Sequence, residues 1–537
     1  MVIKNGRIID GTGNPWFRSD IGIKNCRIYH VGRLNGRDAE KVIDARGLIV
    51  SPGFIDIHTH SDLTLLVNPK AESKVRQGVT TETIGSCGFS AAPVKREALD
   101  LLKKFMEPFS GAAEVDWNWS SMNEYLSRLE AVKPSINVVA LVGHGTIRIN
   151  VMGFDIRSPN AKELEEMKQL VAEAMEDGAF GISSGLGYSP ASYAKTEELI
   201  ELCKVVAEHG GFYSTHLRDE ADRIIEAAKE AVEIGEKSGV SVEISHYKPE
   251  GRVNWGRTGD SLKVVEEARA KGVEVTYDVY PYLAGEAPVS ACFVPPWAHE
   301  GGTEKMLERL KDADIRARIK REAKEGLPDW TMNLLTIATW NDFLISFCKK
   351  NKDLQGKTIA EIAEIRGVDP YDAILDLIIE EGGAINMCAF LMSEEVISTM
   401  LKSPYSLIAS DSMAFAPYGV LGKTKPHPRY YGTFPRALGK YVREDRVLTL
   451  QDAVRKITSL PAQKIGLRDR GLLKEGFYAD IVIFDPERII DKATFTDPHQ
   501  YPEGIEYVIV NGEIVVEKGE HTGAQAGMVL RRRKSIE

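Results

Sequence analysis

Eight short apolar runs, each closing on polar or glycine residues, alternate with amphipathic segments through the middle of this chain. They are Phe54–His60, Thr80–Cys87, Ile136–His144, Ala179–Tyr188, Gly211–His216, Val240–His246, Val273–Tyr280 and Ser406–Asp411, with helical patterns such as Thr196–His209 and Asp222–Ser238 between them. Parallel strands need crossover connections, usually helices, so this alternation predicts a parallel sheet. A count of eight favours a closed (β/α)8 TIM barrel of the α/β class. The gap between the seventh and eighth runs is too long for one βα unit. Residues 285–350, with Pro295-Pro296-Trp297 and Trp340, are therefore expected to form an insertion or lid over the barrel mouth.

The two ends echo each other. Val2-Ile-Lys-Asn-Gly-Arg-Ile-Ile9 resembles Val508-Ile-Val-Asn-Gly-Glu-Ile-Val515, each a pair of β-branched runs joined by the Asn-Gly of a tight hairpin. A further strand is expected within 472–485. The simplest organisation is a small β-sandwich domain built from residues 1–52 and 465–537, with the barrel inserted between them at 53–464. The chain, 537 residues and 43% hydrophobic, is long enough for that division.

A net charge of −10 gives no electrostatic case for nucleic acid or an anionic membrane. The basic run Arg531-Arg-Arg-Lys534 reads as a solvated tail. Six cysteines without paired spacing predict a reduced, cytoplasmic protein. No stretch reaches transmembrane length, and no signal peptide is expected from an N-terminus that starts in a strand pattern.

In a (β/α)8 barrel the chemistry sits where strands end. His58 and His60, two residues apart on a strand, face the same way. Cys87 follows the second run, His216 the fifth, His246 the sixth and Asp411 the eighth. Singly, each has a plainer reading: a bonded core histidine, a small buried thiol, an aspartate capping a helix. Together on one rim, six metal-competent side chains point to a metal centre. Thiolate and imidazole together suit zinc.

His-x-His after strand one, histidines after strands five and six and aspartate after strand eight resemble the amidohydrolase superfamily. Gly85-Ser-Cys-Gly88, Ser245-His-Tyr-Lys248, Tyr277-Asp-Val-Tyr-Pro-Tyr282 and His427-Pro-Arg-Tyr-Tyr-Gly-Thr-Phe-Pro-Arg436 narrow the resemblance to its D-aminoacylase (N-acyl-D-amino-acid deacylase) branch. The resemblance implies a tight Zn2+ site at Cys87, His216 and His246. His58, His60, Cys87 and Asp411 would line a second, weaker site. Strand four, Gly181–Tyr188, offers no lysine of the kind that bridges two metals in cyclic-amide hydrolases.

The implied reaction is zinc-dependent hydrolysis of the linear amide of an N-acyl-D-amino acid, D-dipeptides included. Asp411 would act as base on the attacking water and then as acid to the departing nitrogen. Lys248 and Arg429 would bind the substrate carboxylate, and Tyr280 either that carboxylate or the tetrahedral oxyanion. Two departures stand out. The loop 412–428 is longer than in typical relatives, and Glu286 stands where small hydroxyl residues are usual, which would disfavour acidic substrate side chains. A hydantoinase-like activity on cyclic amides is the nearer alternative and a non-catalytic scaffold the remoter one. The expected partner is a small molecule, and whether the chain forms a homo-oligomer is left open.

Overall fold

The structure, a computed structural model, describes residues 1–35, 39–111 and 113–532. Eight parallel strands form the central body: Phe54–Asp56, Val79–Ile84, Asn137–Ala140 continued by Val142–Gly143, Gly181–Gly185, Phe212–His216, Ser241–Ile244, Val275–Val279 and Ser406–Ile408. The first three pair in sequence order. The third continues through the fourth to the eighth. Closure is made beyond the ends of the first and eighth strands. There Thr59 bridges Ser412, Asp411 N–H donates to His58 O at 2.9 Å, and His60 N–H donates to Ser412 O at 3.1 Å. Closing a sheet leaves no unpaired edge. Here the closing bonds also lock two candidate ligands in register.

The connecting helices follow from their sequences. Ala161–Glu176 starts at a capping box of Asn160 and Glu163 and buries Met167, Val171, Ala174 and Met175 against the barrel. Each large apolar side chain buried this way contributes about 1.5–3 kcal/mol. Ile224–Ser238 stops at Gly239, whose left-handed backbone suits glycine.

One sheet of nine strands joins the two ends of the chain. At its centre Ile481–Phe484 runs antiparallel to Ile49–Pro52, which runs parallel to Val2–Ile8. Ile28, from one margin of this sheet, and Ile509, from the other side, share a cluster with Ile3, Ile21, Val50 and Ile481, so the sheet curls around its own core. Asn511-Gly512 forms the expected hairpin, between Ile505–Val510 and Glu513–Glu517. Asn5-Gly6 does not. Val2–Ile8 is one strand with a bulge there, its partner being Phe17–Lys24. Asn5 takes a left-handed φ of 62° while its backbone N–H and side chain bond to Asp20 and Asp44. A side chain on Gly6 would meet Val50 at 2.5 Å, so glycine here serves close packing, not a turn.

Three other expectations shift. The insertion runs well past 350. Ala284–Pro288, Phe343–Cys348 and Ile385–Phe390 form a separate antiparallel sheet, with helices Ile359–Arg366 and Pro370–Glu380 between its last two strands. Those helices are amphipathic like the barrel's own, so periodicity could not tell them apart. The last described residues leave the terminal sheet: Val138 N–H donates to Met528 O at 2.9 Å, and Leu530 N–H to Val138 O at 2.7 Å. Arg531 and Arg532 are not solvated. Arg531 bonds Glu130 and the Asp177 carbonyl, and Arg532 the carbonyls of His209 and Gly210. Arg533 and Lys534 lie outside the described residues. Among those residues, no helix is long and apolar enough to cross a membrane.

Candidate metal centre

The ends of the barrel strands carry three candidate ligands in unusual backbone geometry. Cys87, His246 and Asp411 all have left-handed φ angles, 51°, 36° and 49°. Such conformations cost of order 1–3 kcal/mol for ordinary residues and persist where surrounding structure dictates them. They turn three side chains inward at points where an extended strand would alternate past the centre.

The side chains meet in pairs. Cys87 Sγ lies 3.3 Å from His58 Nε2 and 3.6 Å from His246 Nε2. His216 Nδ1 is 3.0 Å from His246 Nε2. Asp411 Oδ1 sits 3.4 Å from His58 Nε2 and 3.1 Å from His60 Nε2. Among the described residues, three compact groups of donor atoms result: His58–Cys87–His246, His58–His60–Asp411 and His216–Glu220–His246. His246 therefore faces both Cys87 and His216, but these three do not form one closed group of their own. Tetrahedral zinc with bonds of about 2.0–2.3 Å sets its ligands roughly 3.3–3.6 Å apart, close to these separations.

Electrostatics fit a metal as well. Burial holds His60 and His246 below the usual imidazole range and pushes His216 down to about 3, so their lone pairs are free at neutral pH. Burial, with Asp411 nearby, drives the Cys87 thiol well above its ordinary value. A cation alongside reverses that, because a coordinating thiol loses its proton. Burial would also raise Asp411, but Arg429 and then His58 outweigh it and hold the carboxylate well below its normal range. The buried His60 Nδ1 and His216 Nε2 have no hydrogen-bond partner. Buried polar atoms are seldom left so.

All nine expected site residues gather at this end of the barrel. Eight of them line one cavity, and His58 lies wholly buried behind it. Lys248 is buried and already paired, 3.3 Å from Glu220 Oε1 and 3.2 Å from Glu250 Oε1. Arg429, whose reach the long loop left in question, lies 2.9 Å from Asp411 Oδ2. Its Nη1 and Nε make no hydrogen bond. Tyr280 lies under both cations, 5.1 Å from Lys248 Nζ and 4.7 Å from the Arg429 guanidinium carbon. The loop 412–428 is packed down: Met413, Phe415 and Leu421 share a cluster with Tyr430 and Tyr431.

Two residues at the centre escaped sequence reasoning. Glu220 Oε1 accepts from His246 Nδ1 at 2.9 Å, and Asp278 Oδ2 sits 3.0 Å from His58 Nδ1. Asp278 Oδ1 also accepts the His246 N–H at 2.9 Å. Carboxylates behind metal-bound histidines fix tautomer and ring orientation. Asp278 does stand in the Tyr277-Asp-Val-Tyr motif, one clue the sequence offered. Glu220, four residues beyond His216 in a loop, had no strand-end position to mark it.

A closed parallel barrel with a histidine-, cysteine- and carboxylate-lined mouth defines a metal-dependent hydrolase architecture. Comparison with known proteins agrees. The amidohydrolase family pattern matches residues 41–516. The chain is 37% identical to the D-aminoacylase of Alcaligenes xylosoxydans xylosoxydans, covering 99% of this chain and 97% of that protein. It is 35% identical to the N-acyl-D-glutamate deacylase of the same organism, covering 100% and 97%. Among solved structures, the N-acyl-D-glutamate deacylase of Bordetella bronchiseptica, complexed with zinc and a phosphonate mimic of the tetrahedral intermediate, superposes with a TM-score of 0.82. That match has 33% identity and covers 99% of each chain. This chain belongs to the amidohydrolase family, in its D-aminoacylase branch.

Proposed function

We propose that the protein is a zinc-dependent hydrolase of N-acyl-D-amino acids, releasing a carboxylate and a free D-amino acid. The observation that carries this reading is the meeting, in one cavity, of a thiol-and-imidazole cluster with Asp411 and the Arg429 guanidinium paired to it. The N-acyl-D-amino-acid deacylases among its relatives support it. Cys87, His216 and His246 would hold the tight Zn2+. His58, His60 and Asp411, with Cys87 shared, would line a second, weaker site. Bound zinc supplies Lewis acidity towards the carbonyl and a water acidic enough to attack at neutral pH.

The chain's own residues do the rest. Asp411, ionised in the free protein, takes the proton of the attacking water on a carboxylate oxygen and passes it to the leaving nitrogen. Arg429 keeps Nη1 beside Asp411 at 2.9 Å and offers its guanidinium charge and Nε, which lacks a hydrogen bond, to the substrate carboxylate. Lys248, its charge matched by Glu220 and Glu250, acts mainly by holding the wall against which that carboxylate lies. Tyr280 O–H completes the grip or donates to the tetrahedral oxyanion. The unpaired cysteines support a cytoplasmic setting.

The test is hydrolysis of N-acetyl-D- and L-amino acids, D-dipeptides and hydantoins by zinc-loaded protein, with zinc content measured alongside. Turnover of linear D-substrates is expected. Turnover of hydantoin without any linear amide would replace this reading with the cyclic one.

A further inference from the structure

The inserted sheet turns a second polar surface towards the same cavity. Glu286 lies on the strand Ala284–Pro288, opposite Cys388, and Asn386 lies opposite Pro288 on the partner strand Ile385–Phe390. Alternate residues share a face, so Glu286 and Asn386 stand diagonally on one face of the sheet. Both line the cavity. Ser346 Oγ donates to Glu286 Oε1 at 2.6 Å, leaving Oε2 buried with no hydrogen-bond partner. Asn386 Nδ2 donates to the Pro108 carbonyl at 3.0 Å, which orients the amide, and its Oδ1 is likewise buried without a partner. Two acceptors thus face the cavity unmet.

A buried acceptor without a donor is destabilising, more so when charged, so such atoms are normally satisfied by what binds there. Glu286 has two other candidate employers, Arg429, which acts on it electrostatically, and Tyr430, whose hydroxyl lies within reach of its carboxylate. But among the described residues Glu286 forms no ion pair, while Arg429 pairs with Asp411. Met332, Leu334 and Leu391 line the same cavity with apolar surface. An aliphatic stem could lie along such a wall while a cationic head reaches the oxygens, as long basic side chains do elsewhere.

Resting on the deacylase reading above, we propose that Glu286 and Asn386 form a side-chain subsite that selects N-acyl-D-amino acids with basic side chains, of lysine or arginine type. The ammonium or guanidinium supplies the donors these two oxygens lack. An acidic side chain would set two carboxylates against each other.

The experiment compares kcat/KM of zinc-loaded protein on N-acetyl-D-lysine, N-acetyl-D-arginine, N-acetyl-D-norleucine and N-acetyl-D-glutamate. Norleucine matches the lysine stem without its charge. The wild type is expected to favour the lysine or arginine derivative over norleucine by at least about tenfold, chiefly through KM, with glutamate poorest. Glu286→Gln is expected to reduce the basic-to-norleucine ratio at least about tenfold. A wild-type ratio near one overturns the subsite while leaving the deacylase reading intact, since norleucine turnover reports the latter. So does a ratio unchanged in Glu286→Gln with all substrates slowed alike, the mark of a residue that only orients Arg429. Failure to hydrolyse any N-acyl-D-amino acid overturns both. The wild-type ratio decides the matter even if the variant does not fold.

Discussion

Two clusters of buried charge grow from the same pair of barrel strands, and they are built on opposite terms. In one, the wholly buried Lys74 ammonium donates to Asp56 Oδ2 at 3.0 Å, Ser410 Oγ at 2.7 Å, Ser412 Oγ at 2.7 Å and Ser412 O at 3.2 Å. In the other, two and four residues along from Asp56, His58 and His60 meet Asp411, and orphaned atoms accumulate on His60, His216 and Arg429. A buried charge whose partners all come from the chain holds a geometry. One that lacks them is set up to receive something. The two clusters thus differ in how fully their cations are bonded, although Glu82, whose Oε2 lies 3.8 Å from Lys74 Nζ, also keeps Oε1 buried without a partner.

Breaking the ligand cluster should strike turnover harder than the fold. Asp411→Asn keeps shape and tolerates the left-handed backbone, where asparagine is comparatively at home. It removes the group proposed to carry the proton. Turnover of the best N-acyl-D-amino acid should fall by roughly 10²–10⁴-fold, and the thermal midpoint should drop as well, because the buried Arg429 loses its counter-charge. Activity within tenfold of wild type would take the proton work away from Asp411.

Breaking the satisfied cluster should do the reverse. Lys74→Met leaves Asp56 buried without its counter-charge and should cost about 3–5 kcal/mol of stability, read by denaturant or thermal unfolding. Adding Asp56→Leu should recover part of that loss, because it removes one of the two buried carboxylates left facing the methionine, while Glu82 remains. A single variant as stable as wild type would show that Lys74 is not the anchor its four bonds suggest.

The sequence showed the ligand cluster better than the Lys74 cluster. His58, His60, Cys87, His216, His246 and Asp411 share one property visible in a linear chain, a place at the end of an apolar run, and the closed barrel turns that property into proximity. Lys74 sits in a short helix after the first strand, where nothing in its neighbours reveals that Ser410 and Ser412 will surround it. The full extent of the insertion was hidden because Ile359–Arg366 and Pro370–Glu380 carry the same helical periodicity as barrel helices. Asn5-Gly6 misled for a related reason. The pair supplies a left-handed residue, which a bulge needs as much as a hairpin does, and only the contact with Val50 decides between them.

Glu220 tests the boundary between the two clusters, since it is bonded to the chain yet stands directly behind a candidate ligand. Glu220→Gln keeps an acceptor for His246 but removes the charge that also faces Lys248. Zinc affinity or turnover should drop by roughly 10–100-fold, as for other carboxylates behind metal-bound histidines. Metal titration separates the two outcomes. No change in either would make Glu220 only a counter-ion to Lys248.

The smallest effect concerns the metal-free protein and its response to acid. Burial puts the folded-state pKa of His216 at about 3, against an ordinary 6.5. Between those values the unfolded chain binds a proton that the folded chain refuses, so this residue makes stability fall as pH drops from about 6.5 towards 3. Asp278 pulls the other way, because burial raises its pKa to about 7 from 3.8 and the folded chain keeps a proton the unfolded one releases. The total acid curve therefore mixes opposing slopes, and only a difference isolates one residue. Stability measured without metal for wild type and His216→Gln should converge as pH falls across that window, the variant lacking the histidine's slope. Parallel curves would mean that His216 already holds its proton in the folded state, and an imidazole so protonated could not serve zinc at that pH.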